Sequence, residues 1–305
     1  AADLHQRNLT DRERVLGPDH LEVLASRNNL ASTLNDLGEH QQAADLHRQN
    51  LTGYERILGP DDPEILGIRN NLANALNRLG EHRQAADLHQ RNLTDRERVL
   101  GPDHLEVLAS RNNLASALND LGEHQQAADL HRQNLTDSER ILGSHHPRTL
   151  TSRNNLASTL NELGEHQQAA DLHRQNLTDS ERILGPDHPN TLTIRNNLAN
   201  ALNELGEHQQ AADLHRQNLT DSERVLGSHH PRTLTSRNNL ANARAGLGEH
   251  QQAADLHRQT LTDRERVLGP DHPDTLTSRN NLANARARLA EVGRRRRWWQ
   301  LPRRR

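Results

Sequence analysis

The string Arg-Asn-Asn-Leu-Ala recurs along this chain of 305 residues, and each copy begins 42 residues after the one before it. A fixed period between 20 and 50 residues is typical of an array, in which one supersecondary unit is stacked many times and buries its apolar face against its neighbours. Any function is therefore expected on a repeated surface. The Asn pairs are Asn28-Asn29, Asn70-Asn71, Asn112-Asn113, Asn154-Asn155, Asn196-Asn197, Asn238-Asn239 and Asn280-Asn281.

Within one repeat, apolar residues recur at the spacing of α-helices. Leu198, Leu202 and Leu205 fall at i, i+4 and i+7, which places them on one stripe of a helix. The pattern predicts a first helix over about residues 190–205, a glycine turn, and a second helix over about residues 207–226. Two antiparallel helices with a Pro-containing loop to the next pair predict an all-α solenoid of αα-hairpins.

The copy count divides the chain into four parts. Residues 1–17 are predicted to be an unpaired second helix, residues 18–269 six full helix pairs, residues 270–293 an unpaired first helix, and residues 294–305 a basic tail. Because Ala1 stands inside what is elsewhere the middle of a repeat, an incomplete N-terminus is expected. Unpaired helices at both ends also raise an alternative function, in which copies stack head to tail into a ring or filament.

The repeat unit reads Asn-Asn-Leu-Ala, then Leu-Gly-Glu-His-Gln-Gln-Ala-Ala, then Glu-Arg-Val-Leu-Gly-Pro-Asp-His-Pro, with spacers between the three strings. Leu30 with Ala31, Leu34, Gly38 and Ala43 hold these positions in the first full copy. The unit resembles the tetratricopeptide repeat, in the 42-residue variety of kinesin light chains and many bacterial regulatory proteins. The resemblance implies a right-handed superhelix whose first helices line a concave groove for peptide segments, and hence a protein-interaction scaffold.

Composition excludes several other classes of protein. The chain has no Cys, so disulfides and thiolate metal sites are excluded, and it has no Lys, so it lacks a Gly-Lys-Ser/Thr phosphate-binding loop. The sequence has no run of 18 apolar residues, so it predicts no membrane span, and a cytoplasmic location is expected. The net charge of −3 conceals an acidic array and a basic tail, Arg294–Arg305, with seven Arg and two Trp. That tail suggests nucleic acid or an anionic surface as a further partner.

The recurring Asn residues are the main candidates for binding. Asn28 and Asn35 lie opposite Leu30 on the first helix, and Asn is a poor helix former, so a further role is expected. Their amides either donate to and accept from the main chain of a bound peptide, or bond neighbouring helices and set the pitch. The predicted peptide-binding residues are Asn28, Asn70, Asn77, Asn112, Asn119, Asn154, Asn161, Asn196, Asn203 and Asn238.

The 21 His residues do not predict a metal site. His40 and His47 are seven residues apart, about 10 Å along a helix, which is too far to chelate one ion. They are expected instead to pack where the family usually has aromatic residues, in a thin core of Leu and Ala. Burial of so many imidazoles predicts that stability falls as the pH drops through about 6.

Two charged columns recur with the repeat, one of Arg at Arg27 and one of Asp at Asp45. Ion pairs between helices are the expected role, and a carboxylate-binding groove is the alternative. Paired carboxylates, a nucleophile with a base, or a metal triad would have to depart from the repeat, and no such departure is evident. The sequence therefore predicts a protein without enzyme activity, cofactor or metal.

Overall fold

The structure, a computed structural model, describes residues 2–59 and 62–299, except for the side chains of residues 293 and 295–299. In these ranges the chain forms fourteen α-helices and no β-strand. The all-α repeat fold predicted from the sequence is confirmed. The helices are α1 (Ala2–Leu16), α2 (Leu21–Asp36), α3 (His40–Leu58), α4 (Pro63–Arg78), α5 (His82–Leu100), α6 (Leu105–Asp120), α7 (His124–Leu142), α8 (Pro147–Glu162), α9 (His166–Ile183), α10 (Pro189–Glu204), α11 (His208–Leu226), α12 (Pro231–Gly246), α13 (His250–Leu268) and α14 (Pro273–Trp299).

The helices fall into two compact units, residues 1–144 and residues 145–305. The first unit holds α1 to α7 and the second holds α8 to α14. Inside each unit every helix packs against the next one in sequence, as expected for a row of helix pairs. Even-numbered helices are the first helices of the repeats, and odd-numbered helices are the second ones.

The helix boundaries follow from local capping. In α10 the Nδ1 atom of His188 accepts a hydrogen bond from the backbone N–H of Asn190 at 3.1 Å, and Pro189 occupies the first turn. This arrangement satisfies one of the unpaired N–H groups at a helix start, and proline costs nothing there because it lacks an N–H. Gly206, with φ at +80°, makes the turn to α11 in the left-handed region.

The core is built from leucine and alanine, as predicted. The recurring Leu of the first helices is at most 6% exposed, and the Ala pairs of α3, α5, α7, α9, α11 and α13 are buried as well. Tyr54 adds one aromatic ring, which packs with Leu24, Ile65 and Ile68. The prediction of buried leucines is thus confirmed at Leu72, Leu114, Leu156, Leu198 and Leu240.

The last helix is longer than the repeat predicts. The backbone of α14 stays helical to Trp299, whereas the predicted first helix ends at residue 293. The remainder of the basic tail, residues 300–305, and the side chains of residues 295–299 lie outside the described residues. The predicted affinity of Arg294–Arg305 for nucleic acid or an anionic surface stays a prediction. Among the described helices, none combines the length and the apolar character needed to cross a membrane.

Candidate functional site

In each unit the first Asn of each pair defines a surface, which we call the first-helix face of that unit. It comprises Asn28, Asn70 and Asn112 in the first unit and Asn154, Asn196 and Asn238 in the second. These side chains are half-buried, except that Asn238 is buried and 8% exposed. The accessibility predicted for this face is therefore partial, because neighbouring first helices cover one side of each amide.

Hydrogen bonds between successive first helices account for that covering. The second Asn of one repeat donates from Nδ2 to the Oδ1 of the first Asn of the preceding repeat, as from Asn113 to Asn70 at 2.8 Å. This is the arrangement expected if the amides set the spacing of the helices. The same bond joins Asn71 to Asn28 at 3.3 Å, Asn197 to Asn154 at 3.2 Å, Asn239 to Asn196 at 3.1 Å and Asn281 to Asn238 at 3.1 Å.

The same amides keep a donor group. Within the described residues, the Nδ2 atoms of Asn28, Asn70, Asn154 and Asn196 donate no hydrogen bond, although their Oδ1 atoms accept one. A primary amide has two donor hydrogens and two acceptor sites, so use of the oxygen leaves the nitrogen available. The two interpretations of the Asn residues are thus compatible, because one end of the amide serves the fold and the other end can serve a ligand.

A second set of Asn residues closes the turn inside each helix pair. The Oδ1 atom of Asn203 lies 2.9 Å from the Nδ1 atom of His208, five residues later. Because Oδ1 can only accept, the imidazole carries its proton on Nδ1 in this pair. Equivalent contacts of 2.7–2.9 Å join Asn35 to His40, Asn77 to His82, Asn119 to His124 and Asn161 to His166.

The Arg column forms ion pairs between three helices. The guanidinium of Arg195 is fully buried and donates to Asp221 Oδ2 at 2.7 Å and to Glu181 Oε1 at 2.9 Å. It therefore ties α10 to the second helix before it and to the one after it. The predicted inter-helix ion pairing is confirmed for this column. Equivalent pairs are Arg69–Asp95, Arg111–Asp137, Arg153–Asp179 and Arg237–Asp263.

The Asp column does not share that role, and the prediction of inter-helix pairing is wrong for it. Asp213 instead contacts Arg216, three residues later on the same helix, at 2.8 Å. The reason is helical geometry, since residues three apart lie on one face and this face points to solvent. The same exposed pairs join Asp45 to Arg48, Asp129 to Arg132, Asp171 to Arg174 and Asp255 to Arg258.

A column of imidazoles is buried in the second helices, as the packing interpretation predicts. Each is at most 3% exposed. In five of them Nδ1 has no hydrogen-bond partner among the described residues, and desolvation lowers the pKa to about 4. The column consists of these five, His47, His89, His131, His173 and His215, and of His257, whose Nδ1 lies 3.1 Å from Asn238 Oδ1. In the described part of the chain, no three His, Asp or Glu side chains are placed to hold a metal ion.

Cavities in the second unit open between successive first helices. A small cavity of about 60 Å³ lies between α8 and α10, beside Asn154. One of about 320 Å³ lies between α10 and α12 over Asn218, and one of about 300 Å³ lies between α12 and α14 beside Ala245. Sequence reasoning missed these cavities, although small residues mark two of them: Ser236 stands where the preceding copy has Ile194, and Ala245 stands where it has Asn203.

Comparison with known families decides what kind of array this is. Models described as tetratricopeptide repeat match residues 23–64 and, in overlapping segments, residues 64–136, 108–178, 155–220 and 196–266. The chain belongs to the tetratricopeptide repeat family. These matches cover most of the helix pairs, so the resemblance seen in the sequence is confirmed. A tetratricopeptide fold indicates a scaffold for protein interactions. No protein with a curated description matches the chain.

Solved structures of tetratricopeptide proteins are similar to this chain. A candidate kinesin light chain of Podosopora anserina with nearly identical TPR-like repeats is 28% identical, with a TM-score of 0.58 over 68% of this chain and 98% of that one. BtubC (BKLC) from P. vanneervenii is 19% identical, with a TM-score of 0.62 over 77% of this chain and 94% of that one. The Rap conjugation gene regulator of plasmid pLS20, in complex with the Phr* peptide, is 14% identical, with a TM-score of 0.60 over 89% and 74%. The predicted likeness to kinesin light chains is confirmed.

Proposed function

We propose that this protein is a non-enzymatic scaffold that binds a partner polypeptide along the first-helix face. The observation that carries the proposal is a pair of amide nitrogens in each unit, at Asn28 and Asn70 and at Asn154 and Asn196, which donate no hydrogen bond within the described residues. Main-chain carbonyls of a bound segment would accept from these donors. The cavities beside Asn154 and Asn196 provide adjacent space for side chains of the bound segment.

The second-helix surface is a poorer binding surface. Its exposed Asp and Arg side chains, such as Asp213 and Arg216, are paired with each other three residues apart. A partner would have to displace those pairs, whereas it would find uncharged amides on the first-helix face. The Rap regulator with the Phr* peptide gives the proposal a precedent in the fold. Because amides read main-chain groups, selectivity is expected to be modest, and affinity is expected to come from several equivalent contacts made together.

The test separates the two ends of each amide. Peptides selected from a display library for binding to the protein serve as ligands. Changing Asn154 and Asn196 to Asp keeps the oxygen that accepts from Asn197 and Asn239 but removes the outward N–H donors. With about 1 kcal/mol for each lost hydrogen bond, the double variant should bind roughly 30-fold more weakly while its helical content is unchanged.

A matched control makes the same chemical change elsewhere. Gln175→Glu with Gln217→Glu converts two exposed amides of α9 and α11 to carboxylates, away from the first-helix face. Its affinity for the peptides should equal that of the wild-type chain within twofold. Equal weakening of the two double variants would contradict the proposal, because added negative charge alone would then explain the loss.

End-to-end assembly remains the second candidate, and the exposure of α14 favours it. Leu276 is 43% exposed although the equivalent Leu192 is buried, and the side chain of Arg279 is 48% exposed although that of Arg195 is 1% exposed. A second helix with an Asp in register would cover both, and Asp11 of α1 holds that register. Sedimentation of the chain should then show multimers that Arg279→Glu disperses and Arg279→Glu with Asp11→Arg restores. A monomer at all concentrations would exclude this function.

A further inference from the structure

One position that is buried or half-buried in every copy carries side chains of different size and charge. It lies near the end of the second helix, and it faces a position 14 residues later on the following first helix. The residues at the first position are Arg12, Tyr54, Arg96, Ser138, Ser180, Ser222 and Arg264. Those at the facing position are Ser26, Ile68, Ser110, Ser152, Ile194, Ser236 and Ser278. The same space between helices is therefore filled by different chemistry in different copies.

A guanidinium group fills this space in three copies. In α13, Arg264 Nη1 donates to Ser278 Oγ at 2.9 Å and to the carbonyl oxygen of Asp274 at 3.0 Å, while Nη2 donates to Thr235 Oγ1 at 3.2 Å. In α5, Arg96 donates to the facing serine at 2.7 Å, and in α1, Arg12 does so at 2.9 Å. The surroundings of this position are thus suited to a planar group with several N–H donors.

The copy formed by α11 and α12 leaves the space open. Ser222 and Ser236 both line the cavity of about 320 Å³, together with the apolar side chains of Leu192, Leu226 and Pro231. In the preceding copy Ile194 adds bulk at the position of Ser236, and the cavity there is about 60 Å³. Both copies have a serine in place of the arginine, so the larger volume goes with Ser236 in place of the isoleucine.

A buried acceptor without a donor lines this cavity. Asn218 is 2% exposed, and its Nδ2 atom donates to Ser236 Oγ at 3.0 Å. Its Oδ1 atom is buried and has no hydrogen-bond partner among the described residues. Thr193 also lines the cavity, and its hydroxyl donates to the carbonyl of Pro189, so that its oxygen can still accept. An unpaired buried acceptor is costly, and a donor from a ligand would relieve that cost.

The charge at the rim is reversed relative to the filled copies. Glu106 lies 3.3 Å from Arg96, and Asp274 and Glu22 hold the same place beside Arg264 and Arg12. In the open copy the residue at this place is Arg232, which lines the cavity. The cavity therefore offers acceptors inside and a cation at its edge. A matching ligand carries a guanidinium and, close to it, a carboxylate.

We propose that this cavity, the guanidinium socket (Thr193, Asn218, Ser222, Arg232 and Ser236), binds an arginine side chain of the partner polypeptide. The guanidinium of the ligand occupies the place equivalent to that of the Arg264 guanidinium between α13 and α14. A carboxylate beside the ligand arginine pairs with Arg232. The inference rests on the proposed function, because the socket opens on the first-helix face beside Asn196. It adds a side-chain preference to a surface that otherwise reads only main chain.

Small probes test the socket without knowledge of the partner. Titration of the 305-residue protein with Nα-acetyl-arginine, followed by NMR, should show saturable binding. Agmatine, which lacks the carboxylate, and Nα-acetyl-citrulline, which lacks the positive charge, should each bind at least tenfold more weakly. Equal binding of the citrulline probe would overturn the proposal. So would tighter binding of Nα-acetyl-tyrosine, because Tyr54 fills the equivalent space and the cavity would then select an aromatic ring.

Two variants separate recognition from folding. Ser222→Arg places a guanidinium inside the protein, as Arg264 does, and should abolish binding of Nα-acetyl-arginine, whereas Gln217→Arg on the exposed side of α11 should leave it unchanged. Arg232→Glu should weaken Nα-acetyl-arginine at least tenfold and strengthen agmatine at least tenfold, a reversal that unfolding cannot produce. If display-selected peptides bind but neither arginine probe does, the socket is refuted and the scaffold function stands.

Discussion

Two columns of buried polar side chains stabilise the helix pairs in opposite ways. The Arg column, represented by Arg195, is charged, and carboxylates on two other helices compensate its charge. The His column, represented by His173, is buried without a partner on Nδ1, and its low pKa keeps it neutral. This chain has almost no aromatic residues. Ion pairs stabilise its thin core, and buried imidazoles stand where the family usually has aromatic side chains. The Arg column stabilises the fold while its side chains are charged, and the His column does so while its side chains are neutral.

Acid should break this balance, and we expect the largest effect there. Because burial lowers the pKa of five imidazoles from 6.5 to about 4, the unfolded chain binds more protons than the folded one between these two values. The free energy of unfolding should be fully retained above pH 6.5 and should be lost as the pH falls towards 4. Each of the five imidazoles accounts for a loss of up to roughly 3 kcal/mol in the free energy of unfolding, so the chain should unfold between pH 6.5 and pH 4.

Urea titrations at pH 7, 6, 5 and 4.5 measure the effect. His173→Leu should reduce the dependence of the unfolding free energy on pH, because one proton-linked group is removed. Gln175→Ala, at an exposed position of the same helix that carries no titratable group, should leave that dependence unchanged. A free energy of unfolding that stays constant from pH 7 to 4.5 would show that the buried imidazoles are not the acid-sensitive element.

The Arg column should show the next largest effect. Arg195→Met removes a buried guanidinium and leaves Asp221 and Glu181 without it, and breaking a buried pair costs about 3–5 kcal/mol. We expect the lower end of that range, because both acids keep some contact with water. Arg216→Met, which removes an exposed pair with Asp213, should cost less than about 1 kcal/mol in the same urea experiment. Equal losses of unfolding free energy in the two variants would show that the buried ion pairs stabilise the protein no more than the exposed one does.

Much of the fold could be predicted from the sequence, because each helix is a local pattern. Leu198 and Leu202 of the predicted stripe specified the buried side of α10, and Gly206 specified its end. The role of the Arg column also followed, since a recurring Arg on an apolar helix needs an acid nearby. These inferences depend on residues within one repeat and on general rules for helices.

The candidate site was less predictable, because it depends on how repeats meet. The bond from Asn197 to Asn154 joins residues 43 apart, and a helical wheel of one repeat does not show it. The contact between Asn203 and His208 crosses a turn, although the constant spacing of the two columns was a signal that could have been used. The socket over Asn218 depends on the absence of a side chain, which becomes visible only when equivalent positions are compared across copies.

The amide bonds between first helices should matter less than either column. Asn197→Ala removes the donor to Asn154 and should lower the free energy of unfolding by about 1 kcal/mol. Asn242→Ala is the matched control, because Asn242 is exposed and makes no hydrogen bond within the described residues, so it reports the change in helix propensity alone. Equal stability of the two variants would show that the amide bonds do not hold the repeats together.

We expect the smallest change in the free energy of unfolding in the repeat that lacks the Asn–His hydrogen bond. In the sixth full repeat Ala245 replaces the Asn that elsewhere contacts the next His, and Nδ1 of His250 is buried without a partner among the described residues. Ala245→Asn should supply the acceptor and raise the free energy of unfolding by about 0.5 kcal/mol. Asn203→Ala should lower it by a similar amount. Opposite signs in the two variants support the bond, and the same sign would contradict it.

The three-helix clamp of Arg111, Arg195 and Arg237 has a consequence for how such a chain can evolve. Arg195 takes one acid from 14 residues before it and another from 26 residues after it, and the same offsets recur at Arg111 and Arg237. Copying or deleting a block of 42 residues, or of a multiple of 42, preserves these clamps, whereas a block of any other length leaves a cation without its acid. The identity of residues 1–32 with residues 85–116 is the trace of such copying. The number of repeats can therefore change during evolution by whole units of 42 residues, because each new junction between repeats keeps its ion pairs.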